Sequence, residues 1–151
     1  MSDDDVSTVK GVEMTGDQVD RTLRELGHGT LSLSDGGESY GVPISFGYDG
    51  ERVFLTLLRF GEESRKLSLL EQTETATLTA YETTSKFDWR SVIASGPLFD
   101  VAEEDVEHME ETMDDNAWFP TIFPPSEPIT GSRRVELRVE HATGRKGEEY
   151  D

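Results

Sequence analysis

The sequence predicts a mainly β single domain: six antiparallel strands closed or nearly closed into a barrel, with about three flanking helices. Three observations carry this expectation. Apolar and polar residues alternate over several short stretches, as they do in half-buried strands. Two of these stretches run into tight-turn sequences, Asp35-Gly36-Gly37-Glu38 and Asp49-Gly50, which join neighbours as hairpins. Closure hides the strand edges that an open sheet exposes.

The elements follow in chain order. Residues 1–13 are an acidic, flexible lead-in. The domain spans 14–144, and 145–151 form a C-terminal tail. A first helix is signalled by Thr15 and Gln18 at capping-box spacing, by Val19, Leu23 and Leu26 on one face, and by Gly27 as terminator. GTLSLSD puts Leu31 and Leu33 on one side. YGVPISFGY puts Val42, Ile44, Phe46 and Tyr48 on one side, and RVFLTLL is apolar on both. These three strands are expected to form a meander. Residues 64–72 read as a short helix with Leu67 and Leu70 on one side. ETATLTAY alternates Ala76, Leu78 and Ala80 against threonines. WRSVIASGPLF reads as one long strand with a bulge or bend at Gly96-Pro97. Ala102–Met113 has helical spacing. Residues 114–131 are a loop with four prolines, and RRVELRVEHAT is the sixth strand, with Val135, Leu137 and Val139 inward.

Composition narrows the partners. The 151 residues carry a formal charge of −18, with 32 acidic residues against 14 Lys and Arg. Such a surface fits a halophilic, haloarchaeal-type protein, because at molar salt the Debye length falls to about 3 Å and self-repulsion is screened. Nucleic acid and anionic membrane surfaces are repelled and are not expected as partners. The absence of cysteine excludes disulfides, thiol catalysis and Cys-metal sites. No apolar run is long enough to span a bilayer and MSDDDVST is no signal peptide, so a cytoplasmic location is expected. His28, His108 and His141 lack partners at ligand spacing, and no metal site is expected. The aromatic, proline-rich stretch WFPTIFPPSEP either packs across the barrel or covers a pocket mouth.

Two stretches carry candidate chemistry. The face of YGVPISFGY opposite its apolar side holds Gly41, Pro43, Ser45 and Gly47, all small. Either a flat group lies against this backbone, or the face is plain solvent-exposed strand. Pro43 lacks a ladder donor and so favours a sheet edge. In EESRKLSLLEQ, Ser64 is placed to cap a helix whose first turn holds Arg65 and Lys66. The helix dipole disfavours cations there unless an anion is bound. A phosphate at that point gains backbone N–H groups, a hydroxyl and two cations. The alternative is surface pairing with Glu62, Glu63 or Glu71.

The ordered series Gly29–Asp35 with its turn, VPISFGYDG, RVFLT, SRK, WRSVIASG and RVELRVEHATGRK resembles the FMN-binding split-barrel family. This is the group of pyridoxamine 5′-phosphate oxidase and the nitroimidazole-resistance proteins. The resemblance runs from Thr15 to Gly144. It implies a six-stranded antiparallel split β-barrel, a homodimer, and FMN at the subunit interface. It places Arg65 and Lys66 on the phosphate beside Ser64, and Leu55 and Thr56 at the strand end that also reaches it. It places the backbone of Val42, Pro43, Ile44 and Ser45 along the isoalloxazine, and Trp89 and Ser91 on a strand that sends a polar side chain toward the ring. Ser91 stands where the oxidases have Gln. The loop LLRFGEE is longer than theirs, which brings Arg59 into range as an alternative phosphate ligand. Their C-terminal substrate-binding Trp and Arg pattern is absent, so pyridoxamine phosphate oxidation itself is not expected.

The expected function is an FMN-dependent oxidoreductase acting on a small molecule, with no identifiable catalytic side chain. The alternatives are an enzyme of the same fold using the deazaflavin F420, a non-enzymatic flavin-binding or redox-sensing protein, and a cofactor-free barrel. F420 needs a longer cationic channel, for which Arg59, Arg90, Arg133 and Arg134 are the spare cations.

Overall fold

A computed structural model of the chain describes residues 11–60, 65–116 and 129–150. Helix α1 (Gly16–Leu26) forms where the capping box places it. Thr15 Oγ1 accepts from the Gln18 amide, and Gln18 Oε1 accepts from the Thr15 amide at 2.8 Å. Gly27 ends the helix in the left-handed region at φ 68°. Val19, Leu23 and Leu26 are buried beneath it.

The strands form two antiparallel sheets. The larger runs in the order β1 (Val12–Glu13), β10 (His141–Lys146), β7 (Asp88–Gly96), β6 (Ala76–Ser85), β2 (His28–Asp35) and β3 (Glu38–Ser45). The smaller runs β4 (Gly47–Tyr48), β5 (Arg52–Phe60), β9 (Ile129–Arg138) and β8 (Leu98–Asp100). The core lies between them, built from Leu31, Leu33, Phe46, Leu55, Leu78 and Leu137.

The architecture is therefore mainly β with few helices, as expected, but the sheet is not closed. Three strands that the sequence draws as continuous each break and change sheet. YGVPISFGY ends its first sheet at Ser45 and resumes as β4 after Phe46, whose amide donates to the Gly27 carbonyl at 2.9 Å. WRSVIASGPLF breaks at Pro97 between β7 and β8. RRVELRVEHAT breaks at Val139-Glu140 between β9 and β10. The last two corners are tied together: the Arg138 amide donates to Pro97, and the Glu140 amide to Ser95. Gly96 is required there, because a Cβ at this position would overlap the Arg138 carbonyl. The expected three-strand meander is accordingly a β2–β3 hairpin in one sheet and a β4–β5 hairpin in the other.

Helix α2 (Arg65–Gln72) buries Leu70, as expected, and Leu69 beside it; the Leu67 side chain lies outside the described residues. Helix α3 (Val106–Asn116) follows a 3-10 turn at Glu103–Asp105 and buries Met109 and Thr112. Residues 117–128, with the aromatic proline-rich stretch, lie outside the described residues, and Ile129–Gly131 already belong to β9. Among the described residues no helix is long and apolar enough to cross a membrane.

Candidate functional site

Side chains alternate across a strand, so the buried Leu31, Val42, Leu78, Val92 and Ala94 turn their neighbours to the outer face of the larger sheet. Pairing register aligns these neighbours in rows. One row is Pro43, Thr30, Thr79, Ile93 and Thr143; the next is Gly41, Ser32, Thr77, Ser95 and His141. A third joins Tyr81, Ser91, Arg145 and, on the edge strand β1, Glu13. Across the three rows Glu13, at the β1 edge opposite Arg145, is the one carboxylate, in a chain with 32 acidic residues. Ile93 is 50% exposed and Tyr81 62% exposed on this face.

β3 is the edge strand of that sheet, so the missing amide hydrogen of Pro43 leaves no interior ladder bond unmade. The Val42 and Ile44 side chains are buried, leaving only backbone and small side chains outside. A Cβ on Gly41 would meet just Thr30 Cγ2, at 3.3 Å. Ser45 Oγ donates to the Gly27 carbonyl at 3.2 Å. The small face stops there. Gly47, counted with it from the sequence, is buried under α3, where a Cβ would come within 2.8 Å of the Thr112 and Met113 backbone.

On β5, Leu55 points into the core and Thr56 points out, half-buried, directly opposite Arg134 of β9. Arg65 and Lys66 form the first turn of α2, which holds no acidic residue and packs against β2, β3 and β5. Their side chains, Ser64 and the Arg59 side chain lie outside the described residues. Of the carboxylates set against Arg65 and Lys66 as surface partners, Glu62 and Glu63 also lie outside them, and Glu71 instead accepts from Arg133 at 3.1 Å.

Trp89 and Ser91 have different surroundings. Trp89 is held between the chain ends: a Cβ on Gly11 would meet its Cζ2, and one on Gly147 its Nε1, each at 2.9 Å. The Gly147 amide donates to the Trp89 carbonyl. Ser91 lies on the outer face between Tyr81 and Arg145. Three strand spacings, about 14 Å, separate the β3 and β7 rows that hold Pro43 and Ser91.

The cations seen as spare in the sequence divide sharply. Arg90 is buried and donates to Glu25 and Glu82, each at 2.7 Å. Arg133 donates to Asp100 at 2.7 Å, and this hydrogen bond holds the Asp100 carboxyl below its ordinary range. Arg134 is exposed and makes no side-chain hydrogen bond or ion pair among the described residues.

A second polar cluster lies under α3. His108 Nε2 is 2.8 Å from Asp49 Oδ2, and its ring meets Phe54 edge-on. Burial pushes the Asp49 carboxyl up, but hydrogen bonds from His108 and from the Arg52 and Glu51 amides outweigh it and hold the group below its ordinary range. Glu136, fully buried, is bound by Arg138 at 2.9 Å and Arg52 at 3.5 Å. Among the described residues no three His, Asp or Glu gather as a metal site. Recesses of about 360 and 420 Å³ open beside Arg133 and beside His108; neither borders Pro43 or Thr56.

Comparison with known proteins gives the following. The family model described as pyridoxamine 5′-phosphate oxidase matches residues 15–146. No curated protein matches the sequence. Among solved structures, a FAD-binding protein from Mesorhizobium loti is 14% identical, with 88% of this chain and 95% of that chain covered and a TM-score of 0.67. A FAD-binding protein from Mycobacterium smegmatis is 15% identical, with 90% and 98% covered and a TM-score of 0.68. A candidate 5-nitroimidazole antibiotic resistance protein from Bacteroides thetaiotaomicron is 18% identical, with 89% and 86% covered and a TM-score of 0.66. At such identities the likeness is one of fold.

Proposed function

Because this chain belongs to the pyridoxamine 5′-phosphate oxidase family, we propose that it binds a flavin nucleotide, FMN in the first instance, between two copies of itself and serves as an oxidoreductase for a small molecule. The observation that carries the reading is the carboxylate-poor outer face of the larger sheet, where Glu13 at the β1 edge, opposite Arg145, is the one acid of the three rows. Two molecules each of charge −18 repel over most of their surface. A face of Thr, Ser, Ile93 and Tyr81 is where they meet without opposing like charges. A two-fold contact makes the patch self-complementary.

The residues present fit the cofactor. The flat strand at Gly41–Ser45 admits a ring system against backbone that a larger side chain would block. Pro43 and Ser91 lie too far apart for one ring to rest on both within a single copy, so a ring over β3 meets the Ser91 of a second copy. Thr56 and the first turn of α2, with Arg65 and Lys66, stand for the phosphate. Trp89, caged by the chain ends, supports the β7 strand rather than the ring. The flavin supplies two-electron transfer when bound. The chain supplies the flat floor, the phosphate contacts and exclusion of water.

F420 is the weaker choice, because Arg90 and Arg133, two cations its longer tail would require, are already held by carboxylates. A flavin-binding protein without turnover is the second reading, favoured by the scarcity of acid–base side chains on the face itself, where Glu13 lies at the β1 edge opposite Arg145.

The test is the absorbance spectrum and hydrodynamic mass of the purified chain in high salt. A flavin spectrum, release of FMN or FAD on denaturation, and a dimer are expected. A colourless monomer that takes up neither added nucleotide would overturn the proposal. Oxidation of NADH or NADPH by the loaded protein separates an enzyme from a binding module.

A further inference from the structure

With 32 acidic residues against 14 basic ones, an arginine on this chain ordinarily finds a carboxylate. Arg21, Arg24, Arg52, Arg90, Arg133 and Arg138 all do. Arg134 does not, among the described residues. Its backbone is fixed, since its carbonyl accepts from the Val101 amide at 3.1 Å. It lies on β9 opposite Thr56 of β5, in direct register. Leu55, Leu57 and Val135 are buried, so Thr56 and Arg134 stand together on the outer face of the smaller sheet.

The surroundings explain why no acid among the described residues captures Arg134. Two residues along the same face is Glu136, whose two oxygens go to Arg138 and Arg52. Asp100 and Glu71 are drawn to Arg133, on the opposite side of the sheet. The adjacent pair Arg133-Arg134 is thus divided by strand alternation, one guanidinium matched and one left unmatched among the described residues. Residues directly opposite in an antiparallel pair have Cβ atoms about 5 Å apart, so a hydroxyl and a guanidinium from these positions converge on one anion. The guanidinium fork binds phosphate oxygens through two parallel N–H groups.

We propose that Arg134, together with Thr56, binds the phosphate of the flavin nucleotide. This rests on the flavin reading above and adds a residue to it. Arg134 is a binding residue in this assignment and takes no proton.

The experiment compares nucleotide and nucleoside. The flavin-free chain, and its Arg134→Ala, Arg134→Lys and Arg133→Ala variants, are titrated with FMN, FAD and riboflavin at fixed salt, following quenching of flavin fluorescence. Arg134→Ala should weaken FMN and FAD by on the order of tenfold to a hundredfold, as for a lost charge-assisted hydrogen bond, and leave riboflavin unchanged. Arg134→Lys should recover part of the loss, and Arg133→Ala should keep the wild-type ratio of FMN to riboflavin affinity. Wild-type FMN affinity in Arg134→Ala overturns the assignment, as does an equal loss for FMN and riboflavin. If Arg134→Ala does not fold, an unchanged ratio in Arg134→Lys overturns it. If the wild-type chain binds none of the three ligands, the flavin reading itself falls and the assignment with it.

Discussion

Arg90 is clasped by Glu25 of α1 and Glu82 of β6, each 2.7 Å away, with the Tyr150 ring 5.3 Å from its guanidinium. One side chain thereby ties a helix, two strands and the C-terminal segment. Its own head is almost wholly buried, whereas the two carboxylates are about half exposed. Replacing Arg90 by Met removes both pairs, and the carboxylates regain water. The expected cost is about 1–3 kcal/mol. For a chain of this size that lowers the melting temperature by roughly 3–10 °C. Glu25→Gln should cost under about 1 kcal/mol, since that partner is exposed. Thermal unfolding at fixed salt checks both, and an unchanged melting temperature in Arg90→Met would show that the clasp contributes nothing.

Asp49 sets an acid-sensitive contact. Its folded-state carboxyl lies below its ordinary range, so its stabilisation is present above the unfolded value, about 3.9, and is lost as pH falls through the folded value. Asp100 acts in the same direction. Asp49→Asn keeps an oxygen for the Glu51 and Arg52 amides but loses the charge facing His108 and Arg52. The variant should be less stable at neutral pH and lose less on going from about pH 5 to about pH 3. Equal slopes in melting temperature against pH for variant and wild type would exclude Asp49 as a contributor.

Two glycines should respond oppositely. Gly96→Ala forces a Cβ into the Arg138 carbonyl at the corner between β7 and β8, and the neighbour is backbone that cannot swing away. A loss of about 3 kcal/mol or more is expected. At Gly41 an added Cβ meets only Thr30 Cγ2, so Gly41→Val is the matching change on the flat face. It should leave stability within about 1 kcal/mol while weakening flavin binding, by filling the flat face. Gly41→Val that binds flavin as well as wild type would move the ring off β3.

Ile93→Glu places a carboxylate at the middle of the neutral face, and by two-fold symmetry places one on each copy. The expected result is a folded monomer with weakened flavin binding. Sedimentation velocity and circular dichroism decide it. A variant that still dimerises would locate the subunit contact on another face.

How much of this is legible in the sequence depends on whether the deciding interaction is local. Helix α1 is, because Thr15, Gln18 and Gly27 satisfy its ends from within thirteen residues. The hairpins are, because Gly36 and Gly37 supply the positive φ the turn requires. The sheet changes are not. Alternation continues through Phe46 and Val139 without interruption, and only partner strands distant in sequence decide where one sheet ends; Gly96-Pro97 alone announces its corner. The same holds for the site. The small face of β3 reads directly from Gly41, Pro43 and Ser45, but the helix over Gly47 and the cage around Trp89 come from segments far along the chain. Arg133 and Arg134 read alike as spare cations, because alternation says that they part, not which one meets a carboxylate.

The three strand corners also govern how the fold can come apart. YGVPISFGY, WRSVIASGPLF and RRVELRVEHAT each belong to both sheets, and the amides at their corners bond to groups on other elements: Phe46 to Gly27, Arg138 to Pro97, Glu140 to Ser95, Val139 to Glu51. Neither sheet can melt while the other persists, since every one of these chains would be pulled from both. The domain is therefore expected to unfold as a single cooperative unit, with these four amides exchanging with solvent only on global unfolding, which hydrogen exchange checks.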